Sequence, residues 1–399
     1  MSRAEGSPLE QARRALEAGA LKRAEYLLRQ ADKMPGEARE TILADLTRLA
    51  EAWQESGKSV RAARLYDEVI SRLEDVHGID SPELIEPLRR RATALLETDL
   101  PHEQACEPAE ACLRRALRLQ ERLAGNETLT GGWLLMDLAD LVQDHERCEE
   151  GEELARDALA IGKTLVWEDS SLFFEANDWL GWWYEAHQEW SSGRKLLESG
   201  VELASQLLGA DHPRVAELMG GLANMLLEED GTGACEEADS LCARGLDILQ
   251  RHYGELPVST DLWPRTTEDL AQIRLLLSSL YAIRAHSAFL RHQLPAVHLL
   301  LNRALLLLDI REGELPAELR ASLATAHGSV LQGLALLASE EGDDAEAQRL
   351  FQRALAQAEQ GDPERLANML DDYAVWLEDR GRDAEADQAR READDLRNG

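Results

Sequence analysis

Aromatic residues make up only 5% of this 399-residue chain, and runs that alternate apolar with polar residues are missing. β-Branched residues are thin as well, so strand signals are nearly absent. Cysteine occurs five times (Cys106, Cys112, Cys148, Cys235, Cys242), an odd number with no CxxC among them. That excludes a disulfide scaffold and a common metal-binding pattern, leaving the cysteines as small apolar fillers of a reduced protein. The first residues lack the apolar stretch of a signal peptide, and the richest apolar stretch, Leu299 to Ile310, is interrupted by Asn302 and Arg303 and too short to cross a membrane. A cytoplasmic protein is expected. Lysine occurs at only five of the 43 basic positions, a skew toward arginine that suggests a GC-rich, bacterial genome.

Acidic residues are plentiful. The chain carries 76 of them and a net charge of −33, so it repels phosphate backbones and is not expected to bind nucleic acid. Hydrophobic residues make up 44% and charged residues 30%, the balance of a folded chain. Leu, Ala, Glu and Arg dominate, all strong helix formers.

The apolar positions recur at helical spacing, and the helices repeat. A large residue followed by a small one marks each unit at Leu49-Ala50, Leu138-Ala139, Leu180-Gly181, Leu222-Ala223, Leu334-Ala335 and Tyr373-Ala374. A second landmark lies in the next helix at Val69, Ala158, Gly200, Gly245, Ala354 and Ala393, a separation of 20 in every unit but one. The exception is 23, and the turn Glu229 to Gly233 absorbs the extra residues. Seven residues before each second landmark stands another small residue: Ala62, Gly151, Gly193, Ala238, Ala347 and Ala386. Small residues at such spacing let antiparallel helices approach closely. A stretch around Val258 to Glu268, with Trp263 and Pro264, lengthens one unit.

This pattern resembles the tetratricopeptide repeat, whose signature W-x2-L-G-x2-Y…A-x3-F…P is followed step for step by Leu180-Gly181, Tyr184, Gly193, Leu197 and Gly200. Units of about 42 residues and the connector Gly209-Ala210-Asp211-His212-Pro213 resemble the kinesin-light-chain-like branch. HEAT repeats have a similar period but do not explain the fixed separation of 20. The resemblance implies an all-α, right-handed superhelical solenoid of about nine helical pairs over the whole chain. The units run approximately 8–35, 37–82, 83–128, 129–171, 172–212, 213–257, 258–316, 317–362 and 363–399.

No catalytic arrangement stands out: the chain has no phosphate-cradling glycine loop, no GxSxG and no HExxH. His286, His292 and His298 recur every six residues, which rotates each off its predecessor's face. Neither an enzyme nor a cofactor or metal is expected. In tetratricopeptide arrays the first helix of each pair lines a concave groove. That resemblance places Asp140, Trp182 and Asn224 in the groove, with Gln143, Asp144, Glu185 and Glu228 one turn later. Across the six units the twelve positions at that turn (54, 55, 143, 144, 185, 186, 227, 228, 339, 340, 378 and 379) include seven acidic residues and no basic one, so the groove favours a basic or amphipathic segment of another protein. Eight aromatic residues cluster between Trp167 and Trp190. Trp182 is the one expected to face the groove, with Trp133 beside it, as a binding anchor. The expected function is a non-catalytic scaffold or adaptor. The alternatives are a peptide- or ligand-gated regulator and an accessory subunit that docks an enzyme.

Overall fold

The computed structural model describes residues 7–34, 39–98, 101–125, 127–143, 147–254, 267–309 and 315–398. Within them eighteen α-helices form nine antiparallel pairs, with no strand among the described residues. In chain order the pairs are α1 (Pro8–Glu17) with α2 (Leu21–Ala31), α3 (Arg39–Glu55) with α4 (Ser59–His77), and α5 (Ile85–Leu96) with α6 (His102–Ala124). Next come α7 (Leu129–Gln143) with α8 (Cys148–Leu165), α9 (Ser171–Ala186) with α10 (Trp190–Leu208), and α11 (Pro213–Asp230) with α12 (Cys235–Tyr253). The last three are α13 (Thr267–Leu290) with α14 (Leu294–Leu308), α15 (Ala317–Glu340) with α16 (Asp344–Ala358), and α17 (Pro363–Glu378) with α18 (Asp383–Asn398). The lengthened stretch at 258–268 lies almost entirely outside the described residues.

Some helix starts are fixed by a side-chain cap. Asp362 caps α17 through a hydrogen bond from the Glu364 N–H, ahead of Pro363, whose missing N–H costs nothing at a helix start. His212 does the same for α11, its Nδ1 accepting from the Arg214 N–H at 3.1 Å. In several pairs the turn uses one left-handed residue, Gly57 at φ +70° and Gly381 at +70° for example. In α13–α14 that position is His292 at +55°, and in α9–α10 it is Gln188 at +57°. The histidines at 286, 292 and 298 therefore fall on a helix, a turn and the next helix, which cannot bring them together on one face. Among the described residues no group of His, Cys, Asp or Glu is arranged to hold a metal.

The core is built from the landmark residues. Leu49, Ala50, Ala62, Leu138, Ala139, Ala158, Ala347 and Ala354 are all fully buried. Gly162 is needed because the Phe173 backbone of the next pair passes so close that a Cβ there would lie 2.8 Å from it. The five cysteines are free thiols, four of them buried. One helix, α15, is apolar and long enough to cross a membrane by length and composition alone, where the sequence reading found no span; half of its apolar stretch is buried inside the protein.

By their contacts the helices divide into two compact units. One extends to Trp183 and the other begins at Tyr184, so the division falls within α9. In the second unit α11, α13, α15 and α17 pack against one another in succession. The first helices of these pairs thus form an inner row.

Candidate functional site

In the first unit, Trp133, Asp137 and Asp140 are spaced i, i+4 and i+7 on α7, which places them on one stripe. The stripe is joined to the helices on either side. From α5, Arg89 donates Nε–H to Asp137 Oδ2 at 2.5 Å and Nη2–H to Oδ1 at 3.1 Å, and its guanidinium lies 6.0 Å from the centre of the Trp133 ring. The Asp137 carboxylate beside it holds the Arg89 pKa above its ordinary value. From α9, the Trp179 indole N–H donates to Asp140 at 2.7 Å. Trp179 then meets Trp182 edge to face, ring centres 6.3 Å apart, a favoured aromatic geometry.

The tight packing behind this ladder comes from a small landmark residue. A methyl group at Gly151 would lie 3.3 Å from the Trp179 ring and 3.3 Å from the Ala139 carbonyl oxygen. The glycine therefore gives the indole its place against α7 and α8. Trp182 is 49% exposed, while Trp183 and Tyr184 are buried. Of the aromatic cluster, then, Trp182 and Trp167 present their rings to solvent and the rest mainly pack.

Beneath the aromatic face lies Asn177, with no exposed surface and neither amide atom hydrogen-bonded. The equivalent position, three residues before the large landmark, is Leu46, Leu135, Met219, Leu331 or Leu370 elsewhere, all buried. An unpaired amide in that place is costly.

The sequence-predicted residues fare differently from one another. Trp133 and Asp140 join the ladder, and Trp182 ends it at solvent. Asp140 is not simply a groove acid, because the Trp179 indole uses it. Gln143 is half-buried, its amide oxygen without a hydrogen bond, and Asp144 lies outside the described residues. In the second unit Asn224 is half-buried and Glu228 exposed on α11. Glu185 accepts a hydrogen bond at 3.0 Å from Arg365 at the start of α17. Leu336 and Val375, which hold the register of Trp182 on α15 and α17, are exposed apolar side chains, and Gln332 of α15 donates to Asp372 of α17 at 2.7 Å.

Sequence reasoning missed Arg89, Asp137, Trp179 and Arg365. The i, i+4, i+7 spacing on α7 was the available signal for Asp137. Nothing local to Arg365 marks its partner, which lies 180 residues away.

No family model matches the chain, and no curated protein matches its sequence. Solved structures do. A signal-transduction ATPase with numerous domains and a tetratricopeptide repeat sensor, from Pyrococcus horikoshii, is 15% identical, with a TM-score of 0.51 over 75% of this chain and 41% of that one. The fold is tetratricopeptide-like. The same helical-repeat stack is seen at full length in the apo form of RapI, with a TM-score of 0.64 at 9% identity over 98% of this chain and 96% of that one. The apo form of the quorum sensor NprR from B. thuringiensis gives 0.56 at 10% identity over 98% and 97%. At these identities the tetratricopeptide-like likeness is one of fold.

Proposed function

We propose that this chain is a non-catalytic recognition protein, a scaffold or adaptor that takes a segment of a partner protein on the lining of its first helices. The observation that carries this reading is Trp182. It is a large rigid side chain half exposed at the end of a braced ladder, next to the buried Trp183 and Tyr184. Exposed tryptophan held in one orientation is the usual composition of a binding hot spot, since little entropy is lost when it is covered. The net charge of −33 and exposed acids such as Glu228 favour a basic or amphipathic segment and disfavour nucleic acid. With the apolar stretch of α15 half buried in the fold, we read the protein as cytoplasmic.

A second reading is a peptide-gated regulator. It is favoured by the full-length likeness to NprR, which is described as a quorum sensor. The two readings share a surface and differ in whether occupancy changes the chain's compaction.

The test is a pull-down from source lysate with wild type and Trp182→Ala side by side, at low and high salt, read by mass spectrometry. A partner kept by wild type, lost by the folded variant and weakened by salt supports recognition on this face. A partner kept by both moves the interface elsewhere.

A further inference from the structure

The pair formed by Glu185 and Arg365 differs in kind from the polar contacts around it. Elsewhere in the second unit, side-chain hydrogen bonds between neighbouring pairs join residues from 34 apart, as in Arg382 to Gln348, to 52 apart, as in Ser287 to Cys235. Arg365 reaches back 180 residues, across the intervening pairs, to the last turn of α9. The inner row explains how. Because α11, α13, α15 and α17 pack side by side, the row curls until the first turn of α17 meets the end of α9, and the ion pair closes it.

Three features bear on what this closure does. Glu185 stands at a position that the repeat register gives to the groove. Both side chains keep substantial access to water, 35% for Glu185 and 54% for Arg365, so the pair can open without burying an unpaired charge. Arg365 carries the group that a basic partner would bring.

We propose that Arg365 is an internal placeholder for a partner's cation. It occupies the Glu185 carboxylate while the groove is empty, and an arginine or lysine of the incoming segment takes its place and releases the end of the inner row. This rests on the reading of the partner as a basic segment. The exchange swaps one guanidinium–carboxylate pair for another, so it biases affinity modestly. Removing Arg365 strengthens binding about fivefold, the scale of an exposed ion pair.

The experiment uses the full chain and two readouts. The first is the radius of gyration by small-angle scattering for Arg365→Glu, Glu185→Arg and the double exchange. Each single reversal expands the chain and the double exchange restores it; four identical values would overturn the closure. The second is binding of an eight-residue peptide alternating arginine and alanine, against the same peptide with citrulline for arginine. The expected result is tighter binding to Arg365→Ala than to wild type, loss with Glu185→Gln, and no such pattern with citrulline. Arginine peptide bound equally by wild type and Arg365→Ala overturns the placeholder and leaves the basic-partner reading intact. Arginine peptide bound by no variant overturns that reading and the placeholder with it, whatever the scattering shows.

Discussion

The indole N–H of Trp179 donates to the Asp140 carboxylate 2.7 Å away on the preceding first helix. A residue whose register marks it as a groove acid thereby holds an aromatic ring of the next pair while staying exposed. That ring in turn meets Trp182 edge-on. Asp140→Ala is expected to cost about 1 kcal/mol, the net worth of one such bond. It should also loosen Trp182, so tryptophan emission shifts to the red and partner affinity falls although Asp140 need not touch the partner. Emission identical to wild type would show that the ladder does not depend on this bond.

Trp182 and its neighbour Trp183 make a matched pair for separating binding from folding. Trp182→Ala should lower partner affinity by tenfold or more, about 1.4 kcal/mol, with the urea midpoint nearly unchanged. Trp183→Ala removes a buried ring and should cost about 3–5 kcal/mol of stability. Equal losses of stability in the two variants would make Trp182 a packing residue.

Asn177→Leu should raise stability. It replaces a fully buried amide, neither atom of which is hydrogen-bonded, with the side chain found at the same position of α3, α7, α15 and α17. The gain expected from removing an unsatisfied buried group is about 1–3 kcal/mol, visible as a higher urea midpoint at constant slope. A lower midpoint would mean that the amide has a role in the fold after all.

The turn residues His292 and Gln188 offer a smaller gain. Both have left-handed backbone, where a side chain costs about 1 kcal/mol relative to glycine. His292→Gly and Gln188→Gly should each stabilise by up to that amount, less the extra freedom glycine has when unfolded. Thermal melts of the two single variants and their combination check both the sign and the additivity.

The acid limb of stability should report on the ion pairs between α6 and α8. A hydrogen bond from Arg114, joined by one from Arg147, holds Glu150 below its ordinary carboxyl value of 4.5. A lowered folded-state value means that the contribution is present above the unfolded pKa and is lost as pH falls through the folded one. Glu150→Gln should therefore be less stable than wild type at pH 7, with the gap closing as pH drops below 4.5. Urea unfolding at pH 7, 4 and 3 measures it. A gap that stays constant with pH would remove the charge from the explanation.

The repeat itself was legible because close packing tolerates little variation. Ala62, Ala158 and Ala354 recur on schedule since a larger side chain would push two helices apart, and all three are buried. The site was legible only where one helix carries the information. Trp182 could be placed from its register alone, whereas the use of Asp140 by Trp179 depends on how far one pair is rotated against the next. The partner of Arg365 depends on curvature accumulated over several pairs, which no local spacing encodes. Asn177 did leave a trace, a polar residue where the signature calls for a large apolar one.

Nearly every ion pair and hydrogen bond between helix pairs joins immediate neighbours, such as Arg72 to Asp32 and Arg114 to Glu150. A chain wired this way can gain or lose a whole pair by duplication or deletion, and each junction would be remade as before. The Arg365 to Glu185 bond is indifferent to none of that. With one pair fewer or one more, the first turn of α17 would arrive at the wrong place along the curl and miss α9. That bond therefore counts repeats, and selection acting on it would hold their number in the second unit constant while the side chains of each repeat drift.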